Sequence, residues 1–181
     1  MGTTSALMTV DEFLKLVELD ERRLELFQGE VVELPSGEAI HEIVKSNLMG
    51  IVIDWLKDHP IGMLFGGTGY RIGKYNFLVP DLSVLSNERI PVPVTEDLLR
   101  GAPNLAIEVV SSETAARLRT KISLYLKHGS KAVWVVYPKE RTLEIRVANG
   151  QGTTLEQDQV LDDHDVLPGF STSVSAIFEG L

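Results

Sequence analysis

Apolar residues recur at Ile40, Val44, Leu48, Ile51 and Trp55, three to four positions apart. Side chains at this spacing share one face, so the period predicts an amphipathic helix running to His59-Pro60. A shorter helix is predicted upstream. There Thr9-Val10-Asp11-Glu12 has the form of a capping box, and Phe13, Leu16 and Val17 supply the apolar positions. Between the two, residues 23–27 and 30–34 read as strands joined by a hairpin turn at Gln28-Gly29. Pro35, Ser36 and Gly37 then form a loop.

Further along, glycine-punctuated runs at 62–65 and 68–72 predict an antiparallel ribbon. The second half of 77–85 reads as a strand with Asp81 near its start, and Pro80 marks an edge or an irregular beginning. Residues 87–101 read as a loop with one polar helical turn. Residues 105–110 are apolar except for Glu108 and read as a buried central strand. A helix over 113–127 stops at Gly129, a good left-handed cap. Residues 131–137 read as another buried strand and 142–147 as a half-exposed one. The tail carries short strands and a last helical turn near Ala176. This order predicts an α/β fold, with helices packed on a mixed central sheet, and a single domain over residues 1–181.

Composition narrows the chemistry. The chain has 181 residues, 44% hydrophobic and 24% charged, as in ordinary globular proteins. It has no cysteine, which excludes disulfides, cysteine-bound zinc and thiol catalysis, and fits a reducing compartment. No apolar run approaches the roughly 20 residues that span a bilayer. The first residues have no basic stretch followed by an apolar one, so they do not read as a signal peptide. The expectation is a cytoplasmic protein that avoids membranes. The net charge of −9 disfavours coating a polyanion over the whole surface, but leaves room for a local basic patch beside an acidic metal site.

Glu108 is the most informative residue. It interrupts Leu-Ala-Ile-Glu-Val-Val, a stretch otherwise suited to burial. A desolvated carboxylate needs a cation or hydrogen bonds. It is therefore a metal ligand, a partner of a buried Arg or Lys, or a strand-end acid facing water. Asp81, after Pro80, is a turn or cap residue or a second ligand. Two acids opening adjacent strands can converge on a hard cation, which takes carboxylates, water and phosphate oxygens; the Val109 carbonyl is a further candidate ligand. Lys121 falls beside the Leu118, Ile122 and Tyr125 stripe of the next helix. It is either a surface lysine or one whose stem follows buried surface to bring its amine to the acids. Glu25 alternates with apolar neighbours and either faces solvent or joins the same site. Glu30 reads as a turn residue.

Four segments together resemble the Uma family, of the Uma-two type, restriction endonuclease-like proteins of the PD-(D/E)xK superfamily. They are RLELFQGEVVEL with His41 after it, VPDLSVLS, PNLAIEVVSSET and KISLYLKHGSKAVWVVYP; TLEIRV and LPGFS fit as well. The resemblance spans nearly the whole chain. It implies a restriction-endonuclease-like fold and Mg²⁺- or Mn²⁺-dependent hydrolysis of DNA phosphodiester bonds. Asp81 matches the first acid, Glu108 the second, and Glu25 an early acid near the metal. Val110 stands where the superfamily pattern has lysine, and Lys121 matches the lysine such proteins take from the following helix. His41 matches a recurring histidine, for which capping or packing is the reading adopted.

Three positions depart from that pattern. Arg117 replaces an acid four residues before the lysine, Ser112 replaces a proline, and Tyr137 replaces an aspartate. Arg117 changes the charge beside the site, which keeps a catalytically inactive binding or regulatory module as the alternative function. Arg117, Arg119, Lys121, Lys127 and Lys131 make the neighbourhood basic. This is either a phosphate-binding surface or an ordinary solvated helix face. DNA is the expected partner, and a homodimer fits by analogy with nucleases that pair their sites. The run from Gly66 to Lys74 fails both the phosphate-loop and the dinucleotide patterns, and the four histidines have no zinc spacing. No GxSxG occurs. Residues 162–165 read as a solvated loop.

Overall fold

The computed structural model describes residues 7–18, 20, 22–35, 37–91, 99–162 and 165–181. Helix α1, Val10–Val17, opens with both halves of its capping box: the Thr9 hydroxyl accepts from the Glu12 N–H, and the Glu12 carboxylate accepts from the Thr9 N–H. Strands β1, Leu24–Phe27, and β2, Glu30–Glu33, form the antiparallel hairpin. Gln28 and Gly29 both have positive φ, at 51° and 82°, the backbone a two-residue hairpin of this twist requires. The long helix α2 covers Ala39–Asp58 and buries His41, Val44, Leu48 and Val52.

The next strands depart from the expected ribbon. β3, Gly62–Gly66, and β4, Tyr70–Arg71, do not pair with each other. β3 lies antiparallel to β6, Leu82–Ser86, whereas β4 joins β5, Phe77–Leu78, and β7, Leu99–Arg100. The glycines between them let the chain leave one sheet for another, which a pattern of short apolar runs does not distinguish from a turn. Likewise Pro80 separates β5 from β6 instead of sitting in one strand. Residues 87–101, read as a loop, hold a 3₁₀ turn at Asn87–Arg89 and end in β7; residues 92–98, 36 and 163–164 lie outside the described residues.

The rest follows the hydrophobic pattern. Central strand β8, Leu105–Val109, is buried at every position. Helix α3, Ala115–Lys127, is capped by Thr114, and β9, Ala132–Tyr137, returns parallel to β8. After it come β10, Thr142–Val147, β11, Gly152–Leu155, β12, Val160–Asp162, β13, Ser171–Ser173, and α4, Val174–Ile177. The main sheet has the order β11-β10-β9-β8-β6-β3, and a second runs β2-β1-β5-β4-β7.

Alternation along β8 and β9 divides the core. Leu105, Ile107, Val109, Ala132, Trp134 and Val136 pack with α2 and α4 on one face. Ala106, Val133 and Val135 face the other side, with Leu118 and Tyr125 of α3, Tyr70 and Leu78 of the second sheet, and Ile72 just after β4. Side chains two apart on a strand share a face, so Glu108 belongs with Ala106, under α3. No helix among the described residues is long and apolar enough to cross a membrane.

Candidate functional site

The register of β6 against β8 pairs Leu82 with Ile107 and Ser83 with Ala106. One step further, Asp81 falls opposite Glu108, where the ladder ends. The Asp81 carboxylate takes over there: its Oδ2 accepts the Val109 N–H at 2.8 Å. Two acids on neighbouring strands are thus carried to the same end and the same face of the sheet.

The next helix supplies the cation. Leu118, Lys121 and Tyr125 are its buried residues, so Lys121 lies within the apolar stripe and not beside it. Only 3% of Lys121 is exposed. Its Nζ stands 2.9 Å from Glu108 Oε1 and 3.3 Å from Glu25 Oε1. Glu25, whose orientation the sequence left open, is completely buried. It also accepts the Val79 N–H at 2.7 Å and the Arg117 guanidinium at 2.7 Å. Arg117 stacks over the Phe27 ring, 5.1 Å from its centroid, and its Nε approaches Glu113 Oε1 at 3.0 Å. Tyr125 donates its hydroxyl to Glu108 at 2.8 Å. His41 Nε2 lies 3.1 Å from Asp81 Oδ1, and its Nδ1 is 3.2 Å from Glu42.

Asp81, Glu108, Lys121, His41, Arg117 and Glu113 line one cavity of about 400 Å³ together with the backbone from Val109 to Ser112. Glu25 sits behind its wall and reaches it through Lys121 and Arg117. Burial pushes the Glu108 carboxyl up to about 8; Lys121 opposes the rise, and the Asp81 and Glu25 charges add to it. Burial works against Lys121 as a cation too, but Glu108, Glu25 and Glu113 outweigh it and hold its pKa above the ordinary value. Burial would likewise raise Asp81, yet the His41 hydrogen bond and charge, with the Val109 N–H, keep it below the usual range. The hydrogen bond to Asp81, against burial, raises His41.

The chain matches the model of the Uma2 family, described as "Putative restriction endonuclease", over residues 10–175. It belongs to the Uma2 family. No curated protein matches it. Among solved structures, the crystal structure of a "putative nuclease belonging to DUF820" from Anabaena variabilis ATCC 29413 superposes with a TM-score of 0.85. The two share 24% sequence identity over 94% of this chain and 97% of the other, so they share the fold.

In this Uma2 chain the structure brings all four sequence-predicted side chains, Asp81, Glu108, Lys121 and Glu25, to one place. Arg117, which the sequence places beside the site, sits there on Glu25. Three more participants do not follow from the sequence pattern, which reads His41 as a capping or packing residue, Tyr125 as part of an apolar stripe and Glu113 as the start of a helix. Glu113 and Arg117 at spacing i, i+4 were a legible ion pair; nothing in the local pattern tied Tyr125 or His41 to a distant acid.

The donor chemistry suits a hard divalent cation. Asp81 and Glu108 offer carboxylate oxygens at the cavity, and Val109 lines it with them. Among the described residues no group of three or more His, Asp or Glu side chains is arranged to hold a metal ion. Mg²⁺ commonly takes only one or two carboxylates and completes its shell with water and phosphate oxygens.

Proposed function

We propose that this Uma2 protein is a Mg²⁺- or Mn²⁺-dependent endonuclease that hydrolyses DNA phosphodiester bonds, with a PD-(D/E)xK-type site. The observation that carries the reading is Lys121: an almost fully buried ammonium placed between Glu108 and Glu25 beside Asp81, in an open cavity. Asp81, Glu108 and the Val109 carbonyl would hold the cation. When bound it would supply Lewis-acid polarisation of the phosphate and a lowered pKa for water.

The chain's own groups have distinct tasks. Asp81 is kept ionised and oriented by His41 and the Val109 N–H. Lys121, fixed by its two acids, directs N–H donors at the attacking water and at the charge that develops on the phosphoryl oxygens. Glu25 does not touch the substrate; it sets the position of the Lys121 amine, and the Val79 N–H and Arg117 in turn hold Glu25. Glu108, whose carboxyl burial pushes up to about 8, would be drawn toward its ionised form by the cation it helps to hold.

The test is cleavage of supercoiled and linear DNA by wild-type protein with Mg²⁺, Mn²⁺ or EDTA. Activity is expected with either metal, and Asp81→Ala or Lys121→Ala should abolish it. Cleavage that persists in both variants would remove the assignment.

A second reading is favoured by one feature. Arg117, at a position where the family resemblance implies an acid, ties up Glu25 at 2.7 Å. On that reading the protein keeps the nuclease fold as a binding or regulatory module. Calorimetric titration separates the two: absence of Mg²⁺ and Mn²⁺ binding favours the module. A homodimer, acting on both strands of a duplex, is part of the first proposal, and sedimentation checks it.

A further inference from the structure

The basic stretch on α3 splits in two. Arg117 and Lys121 turn inward onto Glu25, Glu108 and Glu113. Arg119 and Lys127 turn outward, and among the described residues neither has an ion-pair partner. With Ser123 they fall at i, i+4 and i+8, a row along one side of the helix. They border a groove of about 670 Å³ between α3 and the β9–β10 hairpin. Its wall is apolar, with Leu118, Ile122, Leu126, Tyr137 and Val147. Its two acids are engaged: Glu113 by Arg117, and Glu144 by Arg146 at 2.9 Å. The groove adjoins the acidic cavity, for Val110, Glu113 and Leu118 line both.

We infer that this groove binds an unpaired stretch of the DNA strand that enters the acidic cavity, its phosphates on Arg119 and Lys127 and its bases against Ile122, Leu126 and Tyr137. The inference rests on the nuclease reading. Two facts select the occupant. Outward cations in a row, on a protein of net charge −9, complement a polyanion. An apolar wall with an aromatic ring offers nothing to a duplex, whose bases are stacked inside, but suits exposed bases of any sequence. The rise of α3 separates Arg119 from Lys127 by about 12 Å, so the two can meet different phosphates of one strand.

The experiment is fluorescence anisotropy with an end-labelled 12-nucleotide single strand and the matching blunt duplex, in EDTA so that neither is cut. Wild type is compared with Arg119→Ala/Lys127→Ala, whose positions are both exposed, and with Tyr137→Ala. The double variant should bind the single strand at least 10-fold more weakly and melt at the wild-type temperature. Its log K against log salt should flatten by about 1.4, at roughly 0.7 per lost phosphate contact on a single strand. Tyr137→Ala should weaken the single strand and leave that slope unchanged. Single-strand affinity unaltered in the double variant, an equal loss for the duplex, or no single-strand binding by wild type would each overturn the inference. The nuclease reading fails separately, on metal-dependent cleavage: groove variants that lose single-strand affinity in a protein that never cuts sink that reading and leave the groove.

Discussion

Lys121 provides the sharpest test of the site's construction, because stability responds to it whether or not the protein turns over. Replacing it with methionine keeps most of the stem's volume and deletes the charge. At an effective dielectric constant of about 20, its 2.9 Å contact with Glu108 alone represents about 6 kcal/mol of attraction. Most of that is offset in the wild type by desolvating the ammonium and its acids. The net value emerges on removal, since two buried carboxylates lose their shared cation. Breaking a buried pair from one side costs about 3–5 kcal/mol. Two features place this case near the lower end. Glu108 is already pushed up to about 8 by burial and takes a proton readily once Lys121 is gone. Glu25 retains Arg117 and the Val79 N–H.

The expected loss for Lys121→Met is therefore about 3 kcal/mol, a fall in Tm of about 6–12 °C for a chain of this size. Urea denaturation followed by circular dichroism in EDTA measures it. Adding Glu108→Gln should return part of the loss, with a coupling energy of about 2 kcal/mol in the double-mutant cycle. If Lys121→Met matches wild-type stability and the cycle closes within about 0.5 kcal/mol, the ammonium is not bound to Glu108 as described.

Other substitutions probe the supports. His41→Ala removes the Asp81 Oδ1 partner and should cost about 1.5–3 kcal/mol, the value of a hydrogen bond to a charged group, read by thermal melting. Gly62→Ala should cost about 1–3 kcal/mol, because a β-carbon there would stand 2.2 Å from the Leu85 carbonyl oxygen and force β3 off β6. Gly50→Ala should do the reverse: nothing lies within 4 Å of the new methyl, and alanine in the exposed middle of α2 gains about 0.5–1 kcal/mol. Thr9→Ala breaks the capping box of α1 for about 1 kcal/mol, measurable by the same denaturation.

Which parts were legible follows from how far each signal reaches. The capping box, the hairpin turn and the 3.6-residue period of α2 are local, and each appears where the pattern places it. Glu108 was legible because an acid in an apolar strand demands compensation wherever the strand goes. The fate of residues 62–78 was not, because whether two short runs pair together or join different sheets depends on partners far along the chain. Tyr70 illustrates this: its hydroxyl meets Ser83, and its strand is flanked by Phe77-Leu78 on one side and Leu99-Arg100 on the other. Glu25 alternated with apolar neighbours either way. What holds it inside lies far along the chain: Lys121 and Arg117 of α3 and the Val79 N–H.

The same distinction explains how an acidic chain builds this site. Asp81 and Glu108 are brought together by strand register, which β-pairing specifies tightly when a face is buried. Their charges are then balanced by residues from two other elements, His41 from α2 and Lys121 from α3, while Glu25 from β1 holds the same lysine in place. Each link spans a different pair of elements, so no single segment contains the site, and its parts become correct only when the fold does. Arg117 is the one cation in this set that adds nothing to Asp81 or Glu108 directly. It neutralises Glu25 and Glu113 instead, leaving the two strand acids with Lys121 and His41 as their cationic neighbours. An Arg117→Glu exchange would therefore leave Glu25 with Lys121 and the Val79 N–H, one cation fewer, and place another negative charge beside Glu113. It should strengthen Mn²⁺ binding in calorimetry and lower stability in EDTA. A variant that binds metal no better than wild type would mean that Arg117 does not limit the site.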